Sequence, residues 1–461
     1  MDQNGRIVLK SSQAGDISPE DGIVLGRALA VDHDRVVVAR DPMRSSPMMA
    51  EAVMSGLLSQ GADVIDLGVV SAPVAARQSR LGGCAVYVAA RPGMISGYYL
   101  MNPDGSLFRD EQIRHLDILL QNPPEPPGHE DLGEYTVRDG ATEEYKSAVI
   151  ESFKGDAKCT VVADCRCGAA SDSLPQILNA LGADVVTVNA QWDEDFHQSQ
   201  LAEGDPLANL KAMVGATPGS IGVRTNPIGT MVEVVDEHGE SIPQDRVFAL
   251  LALYLRPESI AITTDAPSVI EDAFMGRIGA GMSTPYEEPQ DRRVVMTQDS
   301  AAAVCEAVTS GAELGYYHGS IVFGGSASIG DGIRAAAAIV QMAGDNSLHS
   351  VTETLPEYIR DSRDYECQMR AETFKRAVDE CVGPLADRCT QYGSEFRIVL
   401  DGGWFLIRHR QDGEDARVEV LAESQDVAYV IGLMEIADDL VQRVLRVERS
   451  VDDLQVHGLT V

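Results

Sequence analysis

Residues 85–106, AVYVAARPGMISGYYLMNPDGS, decide the fold of this 461-residue chain. The stretch begins with an apolar run, AVYVAA, of the kind that forms a buried strand. The chain then turns at Arg91-Pro92-Gly93 and reaches Asn102-Pro103-Asp104-Gly105, which is a strong turn signal. The stretch therefore predicts a buried strand followed by an irregular loop, and the sequence around it indicates which kind of sheet the strand joins.

Helices and strands alternate on both sides of this stretch. Pro47 in a first helical turn and Gly61 just past a last turn are typical helix boundaries. Such alternation predicts an α/β layered domain with a mostly parallel sheet. The predicted elements are a helix at 20–30, a strand at 35–39, a helix at 47–61, a strand at 62–68 and a helix at 111–120.

The length of the chain and the distribution of its apolar residues indicate how many domains to expect and whether the chain enters a membrane. A chain of 461 residues predicts about three or four domains of about 100–150 residues each. No stretch approaches the roughly 20 apolar residues of a membrane span, and the first residues lack the basic and apolar regions of a signal peptide. A cytoplasmic protein without membrane insertion is therefore expected.

The chain is strongly acidic, with 71 acidic against 37 basic residues and a net charge of −34. A field of this sign repels nucleic acid and anionic membranes, so neither is an expected partner. The acidity is spread along the chain. It favours either solubility in a salt-rich cytoplasm or a docking face for a basic partner.

Three ordered segments, ARDPMRSSP, GLLSQGADVIDLGVV and NPDGSLFRDEQI, resemble the first domain of the α-D-phosphohexomutases, the phosphomannomutase and phosphoglucosamine mutase family. In that family the strand at 85–90 leads into a loop whose serine carries the transferred phosphate, and a lysine follows. Ala90 stands at the serine position and Tyr99 at the lysine position. The resemblance implies the family architecture with an altered phosphoserine loop at 88–99.

The second and third signature loops of the family are altered as well. In the second, three aspartates hold magnesium, which prefers hard anionic oxygens. Residues 225–231, TNPIGTM, contain no carboxylate, so no metal and no cofactor are predicted for the loop at 224–231. In the third loop, at 314–320, the position of a sugar-binding glutamate is occupied by Tyr316 or Tyr317.

The fourth signature loop, at 408–415, reads RHRQDGED. Arg408 of the family pattern is kept and Arg410 adds a second cation. Asp412, Glu414 and Asp415 place negative charge where the family binds the substrate phosphate, and like charge disfavours an anion there.

The resemblance divides the chain into four domains around a central cleft. The first three are expected to be α/β domains with mixed, mostly parallel sheets, and the last an α+β domain. The predicted domains are 1–139, 140–242, 243–349 and 350–461.

Taken together, the altered loops predict loss of phosphosugar mutase activity. Phosphoryl transfer needs a nucleophile, a cation and phosphate anchors, and the family's groups for each are replaced, so no catalytic residue is assigned. The chain is then expected to be a regulatory or structural partner of an active mutase paralogue or of another enzyme. The alternative is a protein or enzyme with altered, metal-independent chemistry that binds a phosphosugar or other anion.

Seven residues of the signature loops are candidate ligand contacts in the cleft. Four arginines in one cleft would form an anion site, although they could instead pair with nearby carboxylates. Ser96 could replace the missing nucleophile or simply form a turn hydrogen bond, and His318 could contact a ligand or pack against protein. The candidates are Arg91, Ser96, Arg224, Asn226, His318, Arg408 and Arg410.

Overall fold

The computed structural model describes residues 18–91, 94–154, 156–193, 205–278, 281–325, 328–412 and 415–456. These residues form four sheets separated along the chain. Helices and strands are numbered below in chain order. Short 3₁₀ segments accompany them at Ser79–Leu81, His129–Asp131, Ala169–Asp172 and Gly383–Arg388.

The first sheet contains the strand that opened the sequence analysis. Its elements are α1 (Pro19–Leu29), β1 (Arg35–Arg40), α2 (Ser46–Ser59), β2 (Asp63–Val69), α3 (Ala72–Gln78), β3 (Cys84–Arg91), β4 (Met94–Met101), α4 (Asp110–Gln121) and β5 (Tyr135–Val137). The strand order is β4-β3-β1-β2-β5. β3, β1, β2 and β5 run parallel, and β4 returns antiparallel to β3.

β4 corrects the prediction of an irregular loop after Arg91. The chain turns back at once and pairs with β3 from Met94 to Met101. Alternate apolar side chains explain the pairing, because Tyr98 and Leu100 are buried in the same core as Val86 and Val88 of β3.

The second sheet has the order β10-β9-β8-β6-β7. β6 pairs parallel with β7 and β8, whereas β9 and β10 extend the sheet antiparallel. The elements of this region are α5 (Ala141–Glu151), β6 (Thr160–Asp164), α6 (Leu174–Ala180), β7 (Asp184–Val188), α7 (Ala208–Ala216), β8 (Ser220–Thr225), β9 (Val232–Val235), β10 (Ser241–Ile242) and α8 (Gln244–Leu255).

The third sheet has the order β12-β11-β13-β14, and β13 and β14 form a hairpin. Its elements are β11 (Ser259–Thr263), α9 (Ser268–Phe274), β12 (Arg293–Thr297), α10 (Ala301–Thr309), β13 (Leu314–Tyr317), β14 (Ser320–Phe323), α11 (Gly332–Asp345) and α12 (Leu348–Glu353). Asp331 caps α11 by accepting a hydrogen bond from the Arg334 N–H at 2.9 Å.

The fourth sheet is antiparallel, with the order β15-β19-β18-β17-β16. Two helices pack on it around Phe374, Phe405 and Leu440. Its elements are β15 (Ile359–Cys367), α13 (Ala371–Val382), β16 (Cys389–Tyr392), β17 (Glu395–Leu400), β18 (Gly403–Asp412), β19 (Asp415–Ser424) and α14 (Val427–Val456). The predicted class, α/β with a final α+β domain, is confirmed.

The chain forms two compact units. The large unit comprises the described residues up to Ile262 together with 273–295 and 300–354. The small unit comprises 263–272, 296–299 and the described residues from Leu355 onward. Each of the four predicted domains contains one sheet, and their exact boundaries stay a prediction. Among the described residues, no helix is long and apolar enough to cross a membrane.

Candidate functional site

The backbone at Ala90, which stands at the phosphoserine position of the family, is hydrogen-bonded to a buried carboxyl group. The Ala90 N–H donates a hydrogen bond to Oδ2 of Asp41 at 2.8 Å. Asp41 is fully buried and also accepts hydrogen bonds from the Met43 N–H and the Ser46 hydroxyl. Burial raises the pKa of Asp41 to about 6 although these hydrogen bonds act in the opposite direction. Asp41 was not among the predicted site residues, although its place directly after a buried strand was a usable signal.

Arg91 and Ser96 lie on the neighbouring strands β3 and β4, and their side chains lie outside the described residues. The β3–β4 ladder pairs Ala89 with Gly97 and Arg91 with Met94, with a shift of register between these pairs. Ser96 is therefore placed across the ladder from Ala90. The predicted ligand contacts of both residues stay predictions.

A small cavity of about 70 Å³ in the large unit is lined by residues from three signature loops. Tyr99 of β4, Asn226 and Thr230 of the turn after β8, and Tyr317 of β13 all border it. The remaining wall is mostly apolar. The volume is well below the roughly 300–1,000 Å³ of small-molecule pockets, so this cavity alone does not enclose a hexose.

The two tyrosines of the third loop have different environments. Tyr317 lines the small cavity, whereas the Tyr316 ring packs 5.1 Å from the Phe248 ring centre. His318 lies at the exposed tip of the β13–β14 hairpin with φ of 42°, and Gly319 follows with φ of 88°. Two consecutive positive φ values are typical of a tight hairpin turn, which is a local structural reason for His318 at this position.

Asn226 closes the turn that replaces the aspartate loop. Its Oδ1 accepts hydrogen bonds from the N–H groups of Thr230 at 2.7 Å and Met231 at 3.2 Å. Its Nδ2 donates to the Thr230 hydroxyl at 2.8 Å. The Asn226 side chain thus stabilises the turn, and its predicted ligand contact stays a prediction.

Arg224 is paired with a carboxylate on the neighbouring strand. Its Nη2 lies 2.6 Å from Oε2 of Glu233, and its guanidinium also donates to the Pro206 carbonyl. Arg224 on β8 and Glu233 on β9 are partners in the strand register. The sequence left two alternatives open for Arg224, an anion site or pairing with a nearby carboxylate. The structure shows the pairing.

In the small unit, Arg408 lies at the centre of a buried ion cluster. Its Nη1 is 3.0 Å from carboxylate oxygens of both Asp265 and Asp299, and its Nε is 2.7 Å from Glu419. Arg410 pairs with Asp299 and Glu419 as well. Burial alone would lower the pKa of Arg408, but the hydrogen bond to Glu419 and the charges of Asp265 and Asp299 outweigh it, and the pKa is raised.

The sequence did not reveal Asp265 and Asp299 as partners of Arg408, because they precede it by 143 and 109 residues. Each lies two residues after the end of a strand, which was the only available signal. The side chains of residues 412–415 lie outside the described residues. The phosphate contacts predicted for Arg408 and Arg410 stay predictions.

One group of side chains in the large unit could hold a metal ion. Potential ligand atoms of Asp236, Glu240 and His349 all lie within 4.8 Å of one another. Oδ2 of Asp236 is 2.9 Å from Nδ1 of His349, and this hydrogen bond raises the pKa of His349. Carboxylate oxygens and an imidazole are suitable ligands for a divalent cation.

Comparison with known proteins shows that the chain is similar to phosphosugar mutases. A family described as phosphoglucomutase/phosphomannomutase, alpha/beta/alpha domain I, matches residues 21–122. A probable phosphoglucosamine mutase of Methanococcoides burtonii is 27% identical over 441 residues, which cover 93% of this chain and 96% of that protein. A phosphoglucosamine mutase of Symbiobacterium thermophilum is 28% identical over 444 residues, covering 90% and 93%.

Solved structures of the same kind share the fold. A phosphoglucomutase/phosphomannomutase family protein of Burkholderia thailandensis superposes with a TM-score of 0.76 at 19% identity, covering 96% of this chain and 97% of that one. A putative phosphomannomutase of Thermus thermophilus gives a TM-score of 0.66 at 18% identity, covering 95% and 100%. These similarities show the fold.

The relatives contradict the prediction that mutase activity is lost and that the chain is a regulatory or structural partner. Similarity to phosphoglucosamine mutases extends over nearly the whole chain and points to an active phosphohexomutase. The prediction gave the altered positions of four loops more weight than the family resemblance of the rest of the chain. The alternative of metal-independent chemistry is contradicted with it.

The prediction that the chain needs no cofactor is also contradicted. Magnesium is the metal of the family that these relatives represent, and the Asp236, Glu240 and His349 group offers ligands for a divalent cation. The earlier prediction considered only residues 225–231, where the described loop indeed offers no carboxylate. The candidate metal ligands lie farther along the chain, and the absence of carboxylates in residues 225–231 was therefore not sufficient to exclude a metal.

Proposed function

The chain belongs to the phosphohexomutase family, and we propose that it transfers the phosphoryl group of a phosphoglucosamine from one sugar hydroxyl to another. The observation that carries the proposal is the alignment with relatives named phosphoglucosamine mutase across 93% of this chain. Such a reaction is an intramolecular phosphotransfer. It needs a hydroxyl that carries phosphate, positive charge near the transferred group, and anchors for the sugar phosphate.

Ser96 is the proposed phosphate carrier, because Ala90 has no hydroxyl group. Support comes from its place on β4 across the ladder from Ala90. In the transfer, the phosphorus–oxygen bond to the carrier breaks as a bond to the sugar oxygen forms, and the proton of the sugar hydroxyl passes to the released carrier oxygen, which becomes a hydroxyl again. A second transfer from the bisphosphorylated sugar returns phosphate to the carrier, so the carrier is regenerated.

Arg408 is one candidate anchor for the sugar phosphate. It can bind phosphate only in competition with Asp265 and Asp299, which lie 3.0 Å from its Nη1. We therefore expect an anchoring role for Arg408 to depend on displacement of these carboxylates.

A magnesium ion bound beside the transferred group would supply positive charge that offsets the charge of the phosphate. Of the described groups in the large unit, Asp236, Glu240 and His349 fit a divalent cation by their donor chemistry. However, Asp236 follows β9 at the end opposite the 226–231 turn, so they would hold an ion away from that turn. Asn226 and Thr230 offer only neutral oxygens, and both are engaged in their own turn. Residues 225–231 thus fit a magnesium ion poorly.

The test is a direct assay of the full chain. Glucosamine 6-phosphate is incubated with the protein, with glucose 1,6-bisphosphate as primer, in the presence of MgCl₂ or of EDTA, and ³¹P NMR follows the products. We expect glucosamine 1-phosphate to form with MgCl₂ and not with EDTA. Absence of turnover by folded protein under every condition would contradict the proposal.

The carrier is tested separately. After incubation with glucose 1,6-bisphosphate, mass spectrometry of peptides should locate one phosphate on Ser96. Ser96→Ala should abolish both this phosphate and turnover. Ser55→Ala, on the exposed side of α2, is the matched control and should keep wild-type activity. Turnover by Ser96→Ala would remove the carrier assignment and leave the mutase proposal standing.

A further inference from the structure

A second cavity, of about 470 Å³, lies in the large unit at the open end of the β13–β14 hairpin. We call it the hairpin-end cavity and define it by Phe153, Leu255, Tyr286, Val308, Phe323 and Arg334, which are among its lining residues. It shares no lining residue with the small cavity, which borders the hairpin near its turn. Its volume falls within the roughly 300–1,000 Å³ of small-molecule sites.

About half of the wall is apolar. Phe153, Leu255, Val308 and Phe323 come from four different parts of the chain and face one space. Val308 and Phe323 are almost fully buried, so they belong to packed elements. The apolar part of this wall favours a ligand with an apolar body, because binding removes the apolar surface of both from water, and the polar part favours a ligand that also carries a polar group.

Arg334 brings a positive charge to this apolar wall. The backbone of Arg334 is fixed in the first turn of α11 by the cap at Asp331. The guanidinium carbon lies 4.6 Å from the Phe323 ring centre, a cation–π contact. Burial lowers the pKa of Arg334, and the nearby charge of Asp331 opposes this effect. A largely desolvated guanidinium at the edge of a cavity attracts an anion strongly.

Tyr286 and Glu313 further define the ligand. Tyr286 borders the cavity, and burial raises the pKa of its hydroxyl, which therefore stays protonated and can donate a hydrogen bond. Glu313 also borders the cavity, and its carboxylate accepts a hydrogen bond from the Glu258 N–H at 2.9 Å. The cavity thus has one positive charge, from Arg334, and a carboxylate nearby, from Glu313. This arrangement favours a ligand with a single negative charge over a phosphate monoester, which carries two.

We propose that the hairpin-end cavity is a second ligand site that binds a small amphipathic monoanion, a carboxylate or sulfonate on a flat apolar body. The acid group contacts Arg334 and Tyr286, and the apolar body contacts Phe153, Val308 and Phe323. The site is separate from phosphoryl transfer and does not depend on the proposed function.

The probe for this site is 8-anilinonaphthalene-1-sulfonate, which combines one sulfonate with a flat apolar body. Its fluorescence is titrated with the folded full chain, and near-UV circular dichroism verifies native packing. We expect saturable binding to one site. N-Phenyl-1-naphthylamine, which has the same body without the sulfonate, should bind at least tenfold more weakly. Equal binding of the two dyes, or no saturable binding, would overturn the proposal.

Two variants locate the site. Arg334→Met should weaken binding of the sulfonate at least tenfold while leaving the neutral dye unchanged. Thr309→Trp places a large ring at an exposed edge of the cavity and should weaken both dyes at least tenfold. Glu306→Trp, on the same helix but outside the cavity wall, is the matched control and should bind like wild type. Wild-type binding by Thr309→Trp would overturn the proposal even if Arg334→Met did not fold.

Competition separates this site from the phosphosugar site. Excess glucose 1,6-bisphosphate should leave the bound sulfonate dye in place. Displacement of the dye by the bisphosphate would place the dye in the phosphosugar site and overturn the proposal.

Discussion

The backbone N–H of Ala90 donates a hydrogen bond to Oδ2 of the buried Asp41 at 2.8 Å. A carboxyl group from the loop after β1 thus fixes the end of β3, where the family carries its phosphoserine. Because Met43 and Ser46 donate to the same carboxyl group, Asp41 connects the loop after β1 and the start of α2 with the β3–β4 hairpin.

Asp41 should make stability depend on pH. Its pKa in the folded protein is raised to about 6 from an ordinary value of 3.8, so between these values the folded protein holds a proton that the unfolded chain releases. The free energy of unfolding should therefore fall as pH rises from about 4 to about 6, by roughly 3 kcal/mol from this group. Asp41→Asn should remove that part of the slope, measured by urea unfolding at several pH values.

Asp117→Asn, on α4 and exposed, is the control for Asp41→Asn and should keep the wild-type slope. Identical pH dependence of Asp41→Asn and wild type would show that Asp41 has the same pKa in the folded and unfolded chain.

Loss of Arg408 should destabilise the small unit. Arg408→Met leaves Asp265 and Asp299, both nearly fully buried in the cluster, without their shared cation. Removing one member of a buried ion cluster typically costs about 3–5 kcal/mol, which urea unfolding followed by Trp404 fluorescence would measure. Arg417→Met removes an exposed arginine of β19 whose carboxylate partner is 3.9 Å away, and it should cost less than about 1 kcal/mol.

A combined variant tests the cause of the Arg408→Met effect. Adding Asp265→Asn and Asp299→Asn removes the buried charges that Arg408→Met leaves behind, and should restore part of the stability. Equal stability of the single and combined variants would indicate that lost packing, and not unpaired charge, explains the cost.

A divalent cation should bind near His349 if the Asp236, Glu240 and His349 group holds a metal. Mn²⁺ is paramagnetic and broadens NMR signals of nearby nuclei. We expect it to broaden the ring signals of His349 and of His238, whose ring centre is 3.9 Å away, and Asp236→Asn should prevent this. The exposed His129 is the internal control. Unchanged His349 signals at millimolar Mn²⁺ would place the cation elsewhere.

Salt should stabilise the protein. A net charge of −34 makes the compact chain repel itself, and raising KCl from 0.1 to 1 M shortens the Debye length from about 10 Å to about 3 Å. We expect Tm to rise over this range in differential scanning calorimetry. Sucrose at matched osmolality controls for effects unrelated to charge, and a Tm that falls in KCl would refute the expectation.

The sequence predicted those features that depend on local patterns. The alternation of helices and strands and Pro47 in the first turn of α2 were both readable from neighbouring residues. β4 was missed because the glycine and turn signals around residues 93–97 outweighed the alternation of Tyr98 and Leu100.

The contacts of the candidate site depend on pairing between distant segments, which periodicity does not encode. Glu233 faces Arg224 only because β8 and β9 pair in one particular register. Asp265 and Asp299 reach Arg408 only because short stretches from the middle of the chain belong to the same compact unit as the last sheet. The prediction that mutase activity is lost was wrong for a related reason. It gave the altered residues of four loops more weight than the similarity that extends over nearly the whole chain.

The small unit draws its residues from three separate stretches of chain, 263–272, 296–299 and the part from Leu355 onward. A gene fragment that begins at residue 355 would encode Arg408 without Asp265 or Asp299. It would also encode Trp404 without Ser268, whose hydroxyl accepts its indole N–H at 2.9 Å. Recombination could therefore not move the last sheet between genes as an independent cassette. Part of its polar interior is supplied by residues 263–272 and 296–299, which a fragment beginning at residue 355 would lack.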